Sequence, residues 1–236
     1  MAILPSTIVD WEEVTPDSRV LHRTYRASRF GPATSLCFAI GEGRCAVLSA
    51  PSDPQKQDFD AANSLGNVTA LIVPNFGHRA GLDVWLAHCP QAEVYAPSAT
   101  VLLAERSGMR DLKTLADLQT DETISIVEIP GARTGGTFLS ISRGARPVVY
   151  VDEVLVTMQK LPGSWLYRQL FRWKRVKPGI AVNRIYTDWM TRDRKQVATT
   201  ALSLLDGNPI CFAAHGPPIE SRSDLSTARA LLQSLL

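Results

Sequence analysis

The order in which the apolar runs change character constrains this fold more than any single residue does. The first third reads as strands. Arg19–Arg26 alternates loosely, and Thr34–Ile40 (TSLCFAI) and Arg44–Ala50 (RCAVLSA) are β-rich runs either side of the Gly-Glu-Gly at 41–43, a tight hairpin turn. Asp53–Gly66 then reads as a helix, with Asp53 as N-cap, Pro54 at its first position and Gly66 as its stop.

From there strands and helices alternate. Val68–Pro74 (VTALIVP) reads as a buried strand, Gly81–Cys89 as a short helix and Ala92–Pro97 as a strand. Ser98–Gly108 reads as a helix capped by Ser98, and Ile124–Pro130, Thr137–Ser142 and Pro147–Val156 read as strands. Ile185–Gly207 holds a long helix, Pro209–Ala214 is a strand, and a last helix capped by Ser223 or Asp224 ends in ALLQSLL. Strands first, then alternation, then a terminal helix fit sheets sandwiched between helix layers. With no internal repeat and no low-complexity linker, residues 1–236 are expected to form one domain.

Composition excludes several classes. An apolar content of 45% suits a globular chain, and a net charge of +2 gives no argument for nucleic acid. No run of about 18 apolar residues is present, so no membrane span is expected. The opening MAILPSTIVDWEEV lacks a basic start and a long apolar core, so no secretory leader is expected. Cys37, Cys45, Cys89 and Cys211 are scattered without a CxxC pair, as in a reduced, cytoplasmic protein with buried thiols. A serine-hydrolase elbow, a P-loop and a dinucleotide fingerprint are all missing.

Three apolar strands end in polar residues. These are Val73–Gly81 (VPNFGHRAG), Asp152 after VVYV, and His215 before Gly-Pro-Pro. In α/β folds such strand ends gather at one edge of a sheet, where ligands bind. His and Asp are ligands for Zn or Fe.

The order of these features resembles the metallo-β-lactamase fold superfamily, an αββα sandwich, over residues 20–220. The hairpin TSLCFAIGEGRCAVLSAPSD looks like its early hairpin, and IPGARTGGTFLSI looks like its TPGHTPG turn and following strand. VVYVDEVLV looks like its Asp strand, and CFAAHGPPI like its final His-Gly turn. The departures are as specific as the matches. Laid on the family's HxHxDH, this chain puts Asn75, Gly77, Arg79 and Ala80 at the ligand positions, and Ala132 stands where the next His belongs. Asp152 and His215 keep the family's residues, and His78 falls between ligand positions. The resemblance therefore implies the fold and argues against a two-metal hydrolase site.

Three functions stay open. In the first, the site is metal-free, and the Arg79 guanidinium sits where a cation would have been and pairs with Asp152. In the second, His78, Asp152 and His215 hold a single Zn or Fe ion, completed by Asn75 or water, and hydrolyse an ester, thioester, lactone or phosphodiester of an unknown small molecule. Asn75, Arg79 and Trp189 are then the substrate-side candidates. In the third, the chain is a non-catalytic binding protein. Gln159–Gly179 carries Lys160, Arg168, Arg172, Lys174, Arg175 and Lys177 with Trp165, Tyr167, Phe171 and Trp173 and no acid, which suits an anionic membrane surface or an acidic partner, or alternatively a helix whose cations are simply solvated. His88 is expected at a helix end, and His22 on the surface.

Overall fold

A computed structural model describes residues 10–27, 31–161 and 164–236. The opening nine residues, where the leader question falls, lie outside it. Seven strands form the first sheet: β1 (Glu12–Glu13), β2 (Val20–Ala27), β3 (Gly31–Gly41), β4 (Arg44–Leu48), β5 (Asn67–Ile72), β6 (Glu93–Ala96) and β7 (Leu112–Thr114), side by side in chain order. The pairings from β1 to β4 are antiparallel, and those from β4 to β7 are parallel. The parallel crossovers are made by α1 (Lys56–Leu65), α2 (Leu82–His88) and α3 (Ser98–Arg106).

The second sheet runs β13 (Ile210–Phe212), β10 (Val148–Tyr150), β9 (Thr137–Ile141), β8 (Ile124–Glu128), with β10 and β13 parallel. A two-stranded ribbon, β11 (Leu155–Val156) with β12 (Ala181–Val182), follows β10. The remaining helices are α4 (Trp165–Trp173), α5 (Arg194–Leu204) and α6 (Arg222–Gln233).

The period-2 alternation of each strand divides its side chains between two environments. On β3, Leu36, Phe38 and Ile40 point at Leu139, Ile141, Tyr150 and Phe212 of the second sheet, forming the core between the sheets. Cys37, Val47, Val68 and Leu71 face the other way, onto Phe59 and Ala62 of α1 and Leu82 and Trp85 of α2. The outer face of the second sheet packs Phe138, Val149 and Cys211 on Val197, Ala201, Leu225 and Leu232 of α5 and α6. The result is a mixed α/β sandwich with helices on both outer faces. All four cysteines are buried and unpaired, and among the described residues no helix is long and apolar enough to cross a membrane.

Several boundaries differ from the sequence reading. The first helix starts at Lys56, not Pro54, because Gln55 and Asp58 make a reciprocal capping box, with Asp58 Oδ2 accepting from the Gln55 N–H. Pro97, not Ser98, precedes α3. The last helix is capped by Ser221, whose hydroxyl accepts from the Asp224 N–H. The long helix within Ile185–Gly207 is α5, capped by Asp193, and a separate π-helical turn at Tyr186–Met190 precedes it. His22 is half-buried against the Phe212 ring at 5.2 Å rather than free on the surface. His88 does end α2, stacked on Phe59 at 3.7 Å.

Candidate functional site

The loops leaving β5, β10 and β13 come together at one edge of the sandwich and line a cavity of about 390 Å³. His78 comes from the loop after β5, Glu153 from the turn after β10, and His215 from the turn after β13. Among the described residues these three form a group whose ligand atoms all lie within 4.8 Å of one another. Glu153 Oε1 is 3.3 Å from His78 Nε2 and 3.2 Å from His215 Nε2.

The turn after β10 decides which of two consecutive carboxylates reaches the cavity. Asp152 has φ +46, a left-handed conformation that is uncommon without glycine. Its fully buried carboxylate turns into the protein. There Oδ1 accepts from Asn75 Nδ2 at 2.8 Å and from the Tyr150 hydroxyl at 3.2 Å, and Oδ2 accepts from the Thr137 N–H at 3.0 Å. The next residue, Glu153, then points out into the cavity.

The three cavity-facing groups are held from behind. His215 Nδ1 meets the Pro32 carbonyl at 2.9 Å, which makes that nitrogen the donor and leaves Nε2 facing Glu153. His78 Nδ1 lies 2.9 Å from Ser49 Oγ, itself 2.9 Å from the Tyr25 hydroxyl. Glu153 Oε2 accepts from Asn183 Nδ2 at 2.9 Å. Burial works against both charges of the His215–Glu153 pair, but their attraction outweighs it. The imidazolium of His215 is raised to about 9, and the Glu153 carboxyl is held well below the usual carboxylate range by the two histidines. Burial pushes Asp152 up to about 6, against donors from Thr137 and Asn75 that favour the anion.

Phe76, Val156, Met158, Phe171, Ile185 and Tyr186 supply the apolar walls, and among the described lining residues there is no Lys or Arg.

Of the residues proposed from the sequence, His78, His215 and Asn75 line the cavity. Asp152 does not join the histidines. Its neighbour Glu153 does: the group that could hold an ion is His78, Glu153 and His215, and the Asp152 carboxylate is turned away from it. Asp152 serves beneath the site, holding the loop that carries Asn75. Arg79 does not neutralise Asp152 either: its guanidinium lies 4.0 Å above the Phe76 ring and donates to Ser107 Oγ at 3.3 Å. Asn75, not Arg79, supplies the side-chain amide that Asp152 uses. Trp189 stands outside the cavity lining, 41% exposed beside Trp173. Glu153, Asn183 and Ser49 were missed. The one available signal for Glu153 was the paired acids of VDE at a strand end.

No family model matches the sequence, and no curated protein does. Solved structures do. The chain superposes on VMB-1 with TM-score 0.63 and 14% identity, covering 98% of this chain and 99% of that one. The DIM-1 metallo-β-lactamase gives TM-score 0.63 at 13% identity, covering 98% and 100%. A metallo-β-lactamase from Hirschia baltica gives 0.61 at 14%, covering 95% and 98%. The protein therefore has the metallo-β-lactamase fold over nearly its whole length.

Whether His78, Glu153 and His215 suit the metal ion that this fold implies can be tested on their geometry. Ligands about 2.0–2.1 Å from a tetrahedral Zn ion lie about 3.3–3.4 Å from each other. The two Nε2–Oε1 separations, 3.3 and 3.2 Å, match that edge. The back of each ligand is occupied by a polar partner, as histidines and carboxylates at metal sites require. Two of the three edges match and all three atoms lie within 4.8 Å of one another, so this donor set of two imidazole nitrogens and one carboxylate suits a single ion.

Proposed function

We propose that this protein is a hydrolase that uses a single metal ion and acts on a neutral acyl compound, an ester, thioester or lactone with an apolar acyl part. The observation that carries the reading is the convergence of His78 Nε2, Glu153 Oε1 and His215 Nε2 at the floor of an apolar cavity, each fixed from behind. Two nitrogens and one carboxylate with a side open to the cavity match a catalytic rather than a structural site. A second ion has no support: Asn75, Gly77, Arg79, Ala80 and Ala132 stand where the resemblance places its family's ligands.

His78, Glu153 and His215 would hold the ion, which would supply Lewis acidity and lower the pKa of water near it. The protein's own groups do the rest. Asn183 and the Pro32 carbonyl hold Glu153 and His215 in place, and Ser49 with Tyr25 fixes the ring of His78. The walls of Val156, Met158, Phe171 and Ile185 exclude water and accept an apolar group. With no Lys or Arg among the described lining residues, a phosphodiester's charge would meet only the ion and its histidines, against walls that are otherwise apolar. That favours a neutral acyl substrate.

Titration of zinc into chelator-stripped protein tests the reading. One ion per chain is expected, with binding lost in Glu153→Ala and His215→Ala, and acyl ester turnover should follow occupancy. Less than about 0.1 ion per chain at saturating zinc would exclude it, since a three-ligand site binds tightly.

A further inference from the structure

The outward side of α4 carries apolar surface and charge that the cavity does not use. At 3.6 residues per turn, Trp165, Leu166, Gln169 and Trp173 fall within about 100° of one another, and Arg168 and Arg172 lie along one flank of that arc. Tyr167 and Phe171 point the opposite way, into a small core with Val156, Met158, Val176 and Ala181. The outward apolar residues are fully presented: Trp165 is 68% exposed, Leu166 67% and Trp173 68%.

Trp189 extends the patch, its ring 5.6 Å from that of Trp173. Lys174 Nζ sits 4.3 Å from the Trp189 ring centroid and is bound to Asp188 at 3.2 Å, which ties α4 to the π-helical turn. Cations crowd this side. The 21 residues Gln159–Gly179 carry six Lys or Arg and no acid, so a chain of net +2 has −4 elsewhere.

We propose that this face docks the protein on an anionic lipid bilayer. Indole rings and leucine flanked by arginine are the residues that settle at a bilayer interface, with apolar parts in the acyl boundary and cations at anionic headgroups. The charge pattern argues against a second copy of the chain as the occupant. A two-fold contact through α4 would set Arg168 and Arg172 against their own copies, with no acid on the helix to offset them. An acidic protein would meet the charge, but Trp165 and Leu166, 68% and 67% exposed, protrude from the helix and offer no groove for a protein side chain. Tyr167, Leu170 and Phe171 of this same helix line the cavity, so docking through α4 sets one wall of the cavity at the membrane interface.

Vesicle sedimentation with the full chain tests this, with or without metal, so its outcome is independent of the hydrolase reading. Phosphatidylcholine vesicles containing about 30% phosphatidylglycerol should bind at least about tenfold more tightly than phosphatidylcholine alone, with weakening by salt and a blue-shifted tryptophan emission. The double variant W165S/L166S should lose about tenfold or more in binding, as should R168Q/R172Q, with unfolding temperature and zinc stoichiometry unchanged. Any of three results would overturn the proposal: equal binding to both vesicle types or none, binding unaffected by both variants, or a dimer in sedimentation equilibrium that W165S/L166S dissolves. Tight binding to polyglutamate without vesicle binding would reassign the face to an acidic protein.

Discussion

The Glu153 carboxylate and the His215 imidazole meet at 3.2 Å in the cavity floor, and each shifts the other's protonation. His215 is raised to about 9, from about 6.5 in an unfolded chain. A raised basic group stabilises the fold fully below its unfolded pKa, and that stability is lost as pH climbs through the folded one. Glu153 is lowered, so its contribution is present above the usual carboxylate range and lost only as pH falls below it. In metal-free protein the unfolding temperature should therefore fall between about pH 6.5 and pH 9. Glu153→Gln, which removes the anion, should flatten that slope; a slope equal to the parent's would mean that another group causes it.

Asn183 is placed to act on any bound metal through Glu153, which accepts its amide at 2.9 Å. It offers no ligand of its own to the group of three. Partners of this kind typically change metal affinity by about 10–100-fold. Asn183→Ala should weaken zinc binding within that range, at unchanged stoichiometry, in a competition titration with a chromophoric chelator. Unaltered affinity would show that Glu153 is held by its histidines alone.

Asn75 spans the two layers of the site. Its Nδ2 donates to Asp152 and its Oδ1 accepts from the Gly77 N–H at 2.9 Å, so the loop bearing His78 is tied to the turn bearing Glu153. In Asn75→Ala a buried carboxylate loses one donor and a backbone N–H its acceptor. The cost is expected at about 1–3 kcal/mol in urea unfolding. Asp152, already raised by burial, should rise further, so the loss should be larger at pH 7.5 than at pH 5. A uniform loss would mean that Asp152 does not sense Asn75.

The layers of the fold were legible because TSLCFAI and RCAVLSA are β-rich, near-continuous apolar runs, as strands buried on both faces require. His78 and His215 were legible too, as polar residues just beyond apolar strands. The choice between Asp152 and Glu153 was not, because it depends on one left-handed residue. A strand ending in VDE gives no sign of which acid will take that conformation. Asn183 and Ser49 were invisible for a related reason: each acts through a partner distant in sequence, at a separation of 30 residues for Asn183–Glu153 and 29 for Ser49–His78. Cap positions moved because Gln55 with Asp58, and Ser221 with Asp224, satisfy the free N–H groups better placed for each helix start.

Arg79 follows His78 in sequence, yet its charge is directed elsewhere, over Phe76 and toward Ser107. A cation–π contact of this kind is worth about 0.5–1 kcal/mol at an exposed site. Arg79→Ala should cost about that much in stability and leave zinc affinity within about twofold. A tenfold rise in zinc affinity would instead mean that the guanidinium reaches the metal site in solution.

Gly216 seats His215. It follows His215 at φ +102, and a Cβ there would stand 2.5 Å from the Thr157 carbonyl carbon and 2.6 Å from its oxygen. That close approach lets the Thr157 N–H donate to the His215 carbonyl at 3.0 Å, locking the turn onto the strand that follows Glu153. Gly216→Ala thus combines backbone strain with a clash against main chain that cannot rotate away. A loss of at least about 2–4 kcal/mol is expected, with weakened zinc binding as His215 is displaced. Gly179→Ala separates the two causes, because Gly179 has φ +93 but nothing within 4 Å of an added Cβ. It should cost only the strain, about 1–2 kcal/mol, and leave zinc binding intact. Equal losses in the two variants would show that the contact with Thr157 contributes nothing to holding His215.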